Sequence, residues 1–212
     1  MTAGAGRFIT VEGIDGAGKT TALHYLAECL RARGEIVVVT REPGGTELAE
    51  QIRDLLKGTA GEAPTADTET LLMFAARAQH LTQVVYPALA HGEWVLCDRF
   101  TDATFAYQGG GRGLPSERIQ ALADWVHPDF QPDRTLLFDL PVAEGMRRRQ
   151  QERGGEDRIE GAGEAFLERV QAAYRDRAAD DPRRFHRVDA GRSWPEVRAE
   201  LDAWLALELA GR

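Results

Sequence analysis

The chain has 212 residues, 43% of them hydrophobic, and a formal net charge of −8. This length suits one domain (residues 1–212) with a sizeable core, and the acidic balance argues against non-specific binding to nucleic acid or to an anionic membrane. No apolar run reaches the roughly 18 residues that span a bilayer, and the start MTAGAGRF lacks the apolar middle of a signal peptide, so we expect a cytoplasmic protein.

Five short apolar runs alternate with helical patterns along the chain. Each run is nearly continuous in apolar residues, which is typical of parallel strands covered on both faces. Alternating strands and helices predict an α/β fold, a three-layer sandwich around a five-stranded parallel sheet, in which ligands bind at the carboxyl ends of the strands. The runs are FITVEG at 8–13, EIVVVTRE at 35–42, EWVLCDR at 93–99, RTLLFDL at 134–140 and RFHRVDA at 184–190.

Three helical patterns stand out between and after these runs. The first has leucines at 3–4 spacing, the second covers about 68–90, and the last opens with a capping box that is followed by apolar residues on one face. The residues that carry the first and last patterns are Leu23, Leu26, Leu30, Ser193, Glu196, Val197, Leu201 and Trp204.

The segment GIDGAGKT at 13–20 matches the P-loop pattern G-x-x-x-x-G-K-[ST], between a predicted strand and a predicted helix. Its glycines allow backbone N–H groups to turn inward and bind an anion, to which the positive end of the helix contributes. In this pattern Lys19 reaches the β- and γ-phosphates and the Thr20 hydroxyl joins the Mg²⁺ shell. The predicted triphosphate-binding residues are Gly13, Ile14, Asp15, Gly16, Ala17, Gly18, Lys19, Thr20 and Thr21.

Lysine usage supports this interpretation of the loop. Only two of the 26 lysine and arginine residues are lysines, Lys19 and Lys57. A chain with so strong a preference for arginine has kept the compact ammonium at a position where a planar guanidinium would not fit the anion nest.

The residues after the third predicted strand bear on the fate of the γ-phosphate. The chain has no asparagine and so lacks the Asn-Lys-x-Asp base-reading motif of Ras-type GTPases. Many ATPases end the corresponding strand in Asp-Glu, and the glutamate activates water, whereas WVLC is followed here by Asp98 and Arg99. Asp98 can serve Mg²⁺, and Arg99 offers a two-pronged donor to a second phosphate. This favours transfer to a phosphorylated acceptor over transfer to water.

The chain resembles the bacterial thymidylate kinases in five segments, in order and spacing. The P-loop is shared with many NTPases, but the other motifs together are specific, and the match extends over nearly the whole chain. The resemblance implies the P-loop nucleoside monophosphate kinase fold, a mobile lid at about 147–161, Mg²⁺-dependent transfer from ATP to dTMP, and a homodimer. The segments are EGIDGAGKTT at 12–21, TREPGG at 40–45, LLMFAARAQHL at 71–81, CDRFTDATFAYQGGGRGL at 97–114 and ERGGEDRIE at 152–160.

The resemblance also assigns the two ends of a dTMP site. It places Arg53 and Arg99 at the acceptor phosphate. It places Arg77 at the edge of thymine, with Thr104 and Gln108 at positions from which the family hydrogen-bonds the base. A single surface arginine is more often solvated than functional, so these assignments depend on the three arginines acting together.

Four further residues are given roles around the sugar and the metal. Asp15 corresponds to a carboxylate that faces the acceptor 3′-hydroxyl, although it could also be a simple turn residue. Glu42 corresponds to an acidic residue of the acceptor site near the metal or its waters, and a strand-end ion pair with Arg41 is the alternative. Pro43 lines the wall of the pocket, and Tyr107 packs against the 2′ side of the sugar, where it disfavours ribonucleotides.

One departure from the family leaves the stacking residue open. The family commonly has an aromatic residue four positions before the helix arginine, where it stacks on thymine. This chain has Met73 four positions before Arg77, and Phe74 three before it. Either methionine provides a softer platform or a helix shift brings Phe74 to the base.

The lid segment MRRRQQERGGEDRIE is rich in arginine, which in isolation would indicate a solvated helix face. Gly16 stands where one branch of the family carries a catalytic arginine, and the bacterial branch supplies that charge from the lid. Arg153, before two glycines, is the best match, with Arg149 and Arg158 as helpers around ATP. With Lys19, Asp15 and Arg99, Arg153 completes the predicted catalytic set.

Other functions remain open at this point. The chain could be another P-loop kinase, acting on deoxynucleosides or on a different nucleoside monophosphate. It could also be a regulatory ATP-binding switch or an ATPase without an acceptor. The loop 189–192 could contact adenine or be an ordinary turn.

Overall fold

The computed structural model describes residues 6–58, 62–152 and 163–210. Five parallel strands form one sheet in the order β2-β3-β1-β4-β5, which confirms the predicted fold class and places each strand within about two residues of its predicted run. The strands are β1 (Arg7–Glu12), β2 (Val37–Arg41), β3 (Trp94–Asp98), β4 (Arg134–Asp139) and β5 (Phe185–Asp189).

Helices connect these strands, and none that is described is both long and apolar enough to cross a membrane. Two π-helical segments, Leu81–Val85 and Phe105–Gly111, follow α3 and α5 directly. The helices are α1 (Lys19–Arg31), α2 (Glu47–Lys57), α3 (Ala66–His80), α4 (Tyr86–Ala90), α5 (Thr101–Thr104), α6 (Ser116–Val126), α7 (Val142–Glu152), α8 (Glu164–Asp180) and α9 (Trp194–Ala210).

The sheet buries apolar side chains on both faces, as its nearly continuous apolar strands require. On one face, alternate residues of the strands, such as Ile9 and Leu96, pack against the α1 leucines and against α9. The last helix begins as predicted, because the Ser193 N–H donates to Glu196 Oε2 over 3.0 Å in a capping box. On the other face, Phe8 contributes to a second cluster and Leu137 to a third, so helices form the outer two layers of the sandwich.

The register of the sheet brings three of the predicted motifs together at one edge. Asp98 at the end of β3 pairs with Val11 of β1 and with Arg41 of β2. The Arg99 N–H donates to the Val11 carbonyl over 3.0 Å, and the Glu42 N–H donates to the Asp98 carbonyl over 2.9 Å. The P-loop, the TREPGG segment and the CDRF segment therefore leave the sheet side by side.

The glycines of AYQGGGRG allow a π-helical segment to lie against α8. A Cβ at Gly110 would be 2.6 Å from Ala173 Cβ, and one at Gly111 would be 2.5 Å from the Phe166 ring. Arg169 of α8 donates from Nη2 to the Gly111 carbonyl over 2.9 Å. This close packing fixes the backbone that carries Tyr107 and Gln108.

A buried carboxylate lies directly before the P-loop. Glu12 Oε1 accepts the Phe100 N–H over 2.7 Å, and its Oε2 accepts the Tyr174 hydroxyl over 2.7 Å. Burial, and secondarily the negative charge of Asp102, raises the pKa of Glu12 to about 8. Glu12 therefore connects the first strand to the backbone that follows Arg99, with a carboxyl group that favours its neutral form.

This environment predicts a pH dependence of stability. Because the folded state raises the pKa of Glu12 from 4.5 to about 8, it holds the proton that the unfolded state has released, and stability falls as pH rises through that window. The Glu12→Gln variant should lack this decrease, which is at most about 1.4 kcal/mol per pH unit. Denaturant unfolding of both proteins from pH 5 to 9 measures it.

The unaltered protein must be compared with Glu12→Gln because His127 changes the pH dependence of stability in the opposite direction. Burial, followed by the positive charge of Arg77, lowers the pKa of His127. The contribution of His127 to the free energy of unfolding therefore increases with pH until the pH reaches about 6.5, the ordinary pKa of histidine. The difference between the two proteins isolates Glu12, and parallel profiles would contradict the prediction.

Candidate active site

The P-loop has the geometry of an anion nest at the start of a helix. Gly13, Gly16 and Gly18 all have positive φ, at 134°, 79° and 83°, and α1 begins at Lys19. Lys19 is only 5% exposed, and its Nζ donates to the Ile14 carbonyl over 2.9 Å. Burial, and then the nearby Arg99, lowers its pKa. Of the remaining predicted loop residues, Ala17 is buried, whereas Thr20 and Thr21 are exposed in the first turn of α1.

The position of Gly16 explains why this loop carries no side-chain cation there. A Cβ at Gly16 would lie 2.4 Å from the Gly145 carbonyl of α7, and its φ is positive. Likewise, a Cβ at Gly145 would lie 2.9 Å from the Asp15 carbonyl oxygen. The P-loop backbone at Gly16 therefore contacts the backbone of α7 at Gly145. This contact is possible because both residues are glycines.

Substitution of Gly145 should therefore impair both activity and stability. Alanine favours a helix by about 1 kcal/mol over glycine, but here its Cβ would push against the Asp15 backbone. We expect Gly145→Ala to lower kcat about tenfold or more, because displacement of a reacting group is costly, and to lower Tm as well, because a clash with backbone costs about 1–3 kcal/mol and outweighs the gain in helix propensity. Steady-state kinetics and thermal unfolding measure the two effects, and an unchanged kcat would contradict the importance of this contact.

A cleft opens beside the P-loop and encloses about 630 Å³ of space, part of which is open to solvent. Its wall includes every predicted acceptor-site residue except Phe74. These residues are Asp15, Glu42, Pro43, Arg53, Met73, Arg77, Arg99, Thr104, Tyr107 and Gln108.

The cleft distinguishes between the two candidates for the stacking residue. Met73 lines the cleft, whereas Phe74 is 2% exposed and packs with Ile119 and Ala123 in a separate core cluster. The Phe74 ring lies 4.6 Å from the Arg77 guanidinium carbon. The structure therefore places Phe74 behind the arginine and Met73 in the wall of the cleft, which favours the first of the two alternatives; stacking of Met73 on the base stays a prediction.

One end of the cleft concentrates positive charge. Arg99 donates from Nη2 to Asp15 Oδ1 over 2.7 Å and to the Tyr107 hydroxyl over 3.1 Å, and its buried Nε has no hydrogen-bond partner among the described residues. Burial alone would lower the pKa of Arg99, but the carboxylate of Asp15 raises it, and the net shift is upward. Arg53 donates to the Pro43 carbonyl over 2.8 Å. Its pKa is lowered by burial and then by the neighbouring arginines Arg41 and Arg99, which outweigh the opposing effect of Glu50 and Asp98.

The other end of the cleft is built around Arg77. Its Nε donates to Glu42 Oε2 over 2.7 Å and its Nη2 donates to Thr104 Oγ1 over 3.0 Å, while Nη1 is buried without a partner among the described residues. Gln108, 1% exposed, completes this end. One terminal nitrogen of the guanidinium, Nη1, therefore remains for a ligand.

Glu42 is committed to protein partners on both oxygens. Besides Arg77, it contacts His80 Nδ1 at 3.0 Å, and it is 4% exposed. Burial alone would raise its pKa, but Arg77 and His80 lower it. The strand-end pair considered for Arg41 and Glu42 does not form, since Arg41 donates to Glu50 Oε2 over 2.8 Å. These contacts make Glu42 an anchor for Arg77, and its metal contact stays a prediction.

Comparisons with known proteins agree with this geometry. The thymidylate kinase family model matches residues 11–201. The thymidylate kinase of Pseudomonas savastanoi pv. phaseolicola is 57% identical over 200 residues, covering 94% of this chain and 95% of that protein. That of Bordetella petrii is 56% identical over 205 residues, covering 97% of each.

A solved structure agrees as well. The crystal structure of thymidylate kinase from Ehrlichia chaffeensis matches with a TM-score of 0.75 and 35% identity, over 95% of this chain and 99% of that one. The chain belongs to the thymidylate kinase family. The resemblance seen in the five sequence motifs is thereby confirmed.

The predicted lid residues are only partly described. Arg149 is buried on α7, whereas Arg153 and Arg158 lie outside the described residues, so their roles stay predictions. The loop after β5 forms a tight turn in which the Gly191 N–H donates to Asp189 Oδ1 over 3.0 Å, and its proposed contact with adenine also stays a prediction.

Several residues of the cleft were not predicted from the sequence. Leu56, Lys57, Phe100 and Ala103 line it, so the second of the two lysines of the chain belongs to the cleft. Phe100 and Ala103 lie within the CDRFTDATFAYQGGGRGL motif and could have been included from it. Leu56 and Lys57 end α2 and belong to no quoted motif, so no sequence signal pointed to them.

Proposed function

We propose that this protein transfers the γ-phosphoryl group of ATP to dTMP, giving ADP and dTDP. The observation that carries the proposal is the cleft itself, which has a P-loop and two arginines at one end and a hydrogen-bonding pocket around Arg77 at the other. A nucleoside monophosphate matches both ends, since its phosphate needs cations and its base needs fixed donors and acceptors.

The chemistry requires positioning and charge rather than a strong base. In the proposed complex, Arg99 and Arg53 hold the acceptor phosphate with an oxygen directed at the P-loop. Lys19 and the loop N–H groups hold the β- and γ-phosphates and stabilise the charge that spreads over the transferring group. Asp15, which borders both Lys19 and Arg99, keeps these two cations in place and faces the sugar.

We also propose that the enzyme uses Mg²⁺, held by Asp98 and Thr20. Asp98 Oδ1 is buried and has no hydrogen-bond partner among the described residues, as suits a carboxylate reserved for a cation or its waters. Thr20 provides an exposed hydroxyl in the first turn of α1. When bound, the ion would neutralise charge on the β- and γ-phosphates. The family resemblance further supports a homodimer that acts in the cytoplasm.

The lid arginine provides a separate prediction. If Arg153 meets the transferring phosphoryl group only in the transition state, Arg153→Ala should lower kcat at least about 100-fold and leave calorimetric dTMP affinity unchanged. Arg158→Ala should show a milder loss of kcat and a larger rise in KM for ATP. A rise in KM alone for Arg153→Ala would make this residue an ATP clamp instead.

A coupled ADP-release assay across dTMP, dUMP, UMP, CMP, AMP and thymidine tests the function. We expect dTMP to have the highest kcat/KM and loss of the 5-methyl group in dUMP to cost about 1–3 kcal/mol. Comparable rates with AMP or with thymidine would indicate one of the other P-loop kinases. Slow hydrolysis that no acceptor accelerates would indicate an ATPase or switch.

A further inference from the structure

A buried carboxylate at the far end of the cleft has no part in the proposed reaction. Glu69 of α3 is 1% exposed, and its Oε1 lies 2.7 Å from Gln108 Nε2. On its other side, Arg112 Nη2 lies 3.4 Å from Glu69 Oε2. Glu69 does not line the cleft, but it contacts the side chain that does.

This contact fixes the direction of the Gln108 amide. A carboxylate only accepts hydrogen bonds, whereas an amide has a donor nitrogen and an acceptor oxygen. If the amide turned over, its oxygen would face Glu69 Oε1 with no proton between them. The nitrogen of Gln108 is therefore held by Glu69, and the oxygen is the group that Gln108 can offer to a ligand.

Arg77 provides the matching donor. Its Nε and Nη2 are occupied by Glu42 and Thr104, and its buried Nη1 has no partner among the described residues. Arg77 and Gln108 both line the cleft. A donor from one and an acceptor from the other match uracil and thymine, in which O4 accepts and N3–H donates. Cytosine presents the reverse pattern, with a donor amino group at C4 and an acceptor at N3.

We propose that Glu69 is a positioning residue that sets pyrimidine selectivity by holding the Gln108 amide with its oxygen toward the base. The proposal rests on the proposed function, because it concerns the acceptor of the same reaction. Glu69 acts through Gln108 and does not touch the substrate.

The test compares dUMP with dCMP, which both lack the 5-methyl group and differ in their hydrogen-bonding edge. In Glu69→Gln a second amide can donate or accept, so the Gln108 amide is free to turn over. We expect the ratio of kcat/KM for dUMP to that for dCMP to fall at least about tenfold, the worth of one oriented hydrogen bond. Where dCMP turnover is too slow, calorimetric Kd values give the ratio. The dTMP to dUMP ratio should stay unchanged, since it measures the methyl contact.

Arg112→Gln is the matched control, because it removes the ion pair but leaves a carboxylate facing Gln108, so the dUMP to dCMP ratio should be kept. If Glu69→Gln does not fold, the double variant Glu69→Met with Arg112→Met leaves no unpaired buried charge and frees the amide equally. We expect the same fall in that protein.

Two outcomes would overturn the inference. One is an unchanged dUMP to dCMP ratio in a folded Glu69 variant, since a purely structural residue lowers both rates together. The other is an equal fall in Arg112→Gln, which would assign the effect to packing. Failure of the unaltered enzyme to phosphorylate dTMP would instead refute the proposed function.

Discussion

Lys19→Ala should abolish turnover and leave dTMP binding largely intact. Lys19 Nζ lies in a buried position, 2.9 Å from the Ile14 carbonyl and 3.5 Å from Asp15 Oδ1, so it is already fixed where the loop binds phosphates. Preorganised charge of this kind stabilises the transition state without reorganisation. We expect kcat to fall about 10³-fold or more, as when a donor to the developing charge is removed.

The arginine variant tests the argument from lysine usage. Lys19→Arg keeps the charge, but its planar guanidinium has no room in a position that is 5% exposed, so it should also be badly impaired. Calorimetry with dTMP in the absence of ATP is the control, because Lys19 itself does not line the acceptor cleft. Near-normal turnover of the arginine variant would refute the argument.

The fold could be predicted because its strands carry a strong signal. Runs such as RTLLFD are apolar on both faces, as covered parallel strands require, and three of the runs lead directly into motifs that belong at the carboxyl edge of a sheet. The two π-helical segments could not be predicted. A π-helical turn differs from an α-helical turn by one more residue per hydrogen-bonded ring, and it needs no residue type that an α-helix does not also accept. The long helix expected over 68–90 is therefore interrupted by a π-helical segment at Leu81–Val85.

The site was predictable where motifs specify residues and unpredictable where three-dimensional packing decides. Whether Met73 or Phe74 meets the cleft depends on the rotation of α3, because neighbours on a helix point about 100° apart. A signal was nonetheless present, since Glu69, Met73 and Arg77 follow at spacings of four and so share one face. Gly145 was invisible for a different reason, because a glycine that makes room for a distant backbone has no local pattern.

Arg99→Met should be the most damaging change in the acceptor cleft. Arg99 has φ 70°, an uncommon value for a residue with a side chain, and such backbone strain is typical of functional sites. Its Nη2 donates to Asp15, so removal of the guanidinium leaves that carboxylate with less compensation as well as depriving the acceptor phosphate of its cation. We expect kcat/KM for dTMP to fall about 10³-fold, the usual cost of breaking a partly buried charge pair.

Methionine and lysine at position 99 keep a side chain of similar length on the same backbone, so Arg99→Lys is the matched variant. It retains one charge without the two-pronged geometry and should recover only part of the activity. Thymidine, which lacks the phosphate, separates binding of the phosphate from damage to the cleft. Calorimetry should show that Arg99→Met weakens dTMP binding and leaves thymidine binding unchanged. An equal loss for both ligands would mean that Arg99 supports the shape of the cleft and does not bind the acceptor phosphate.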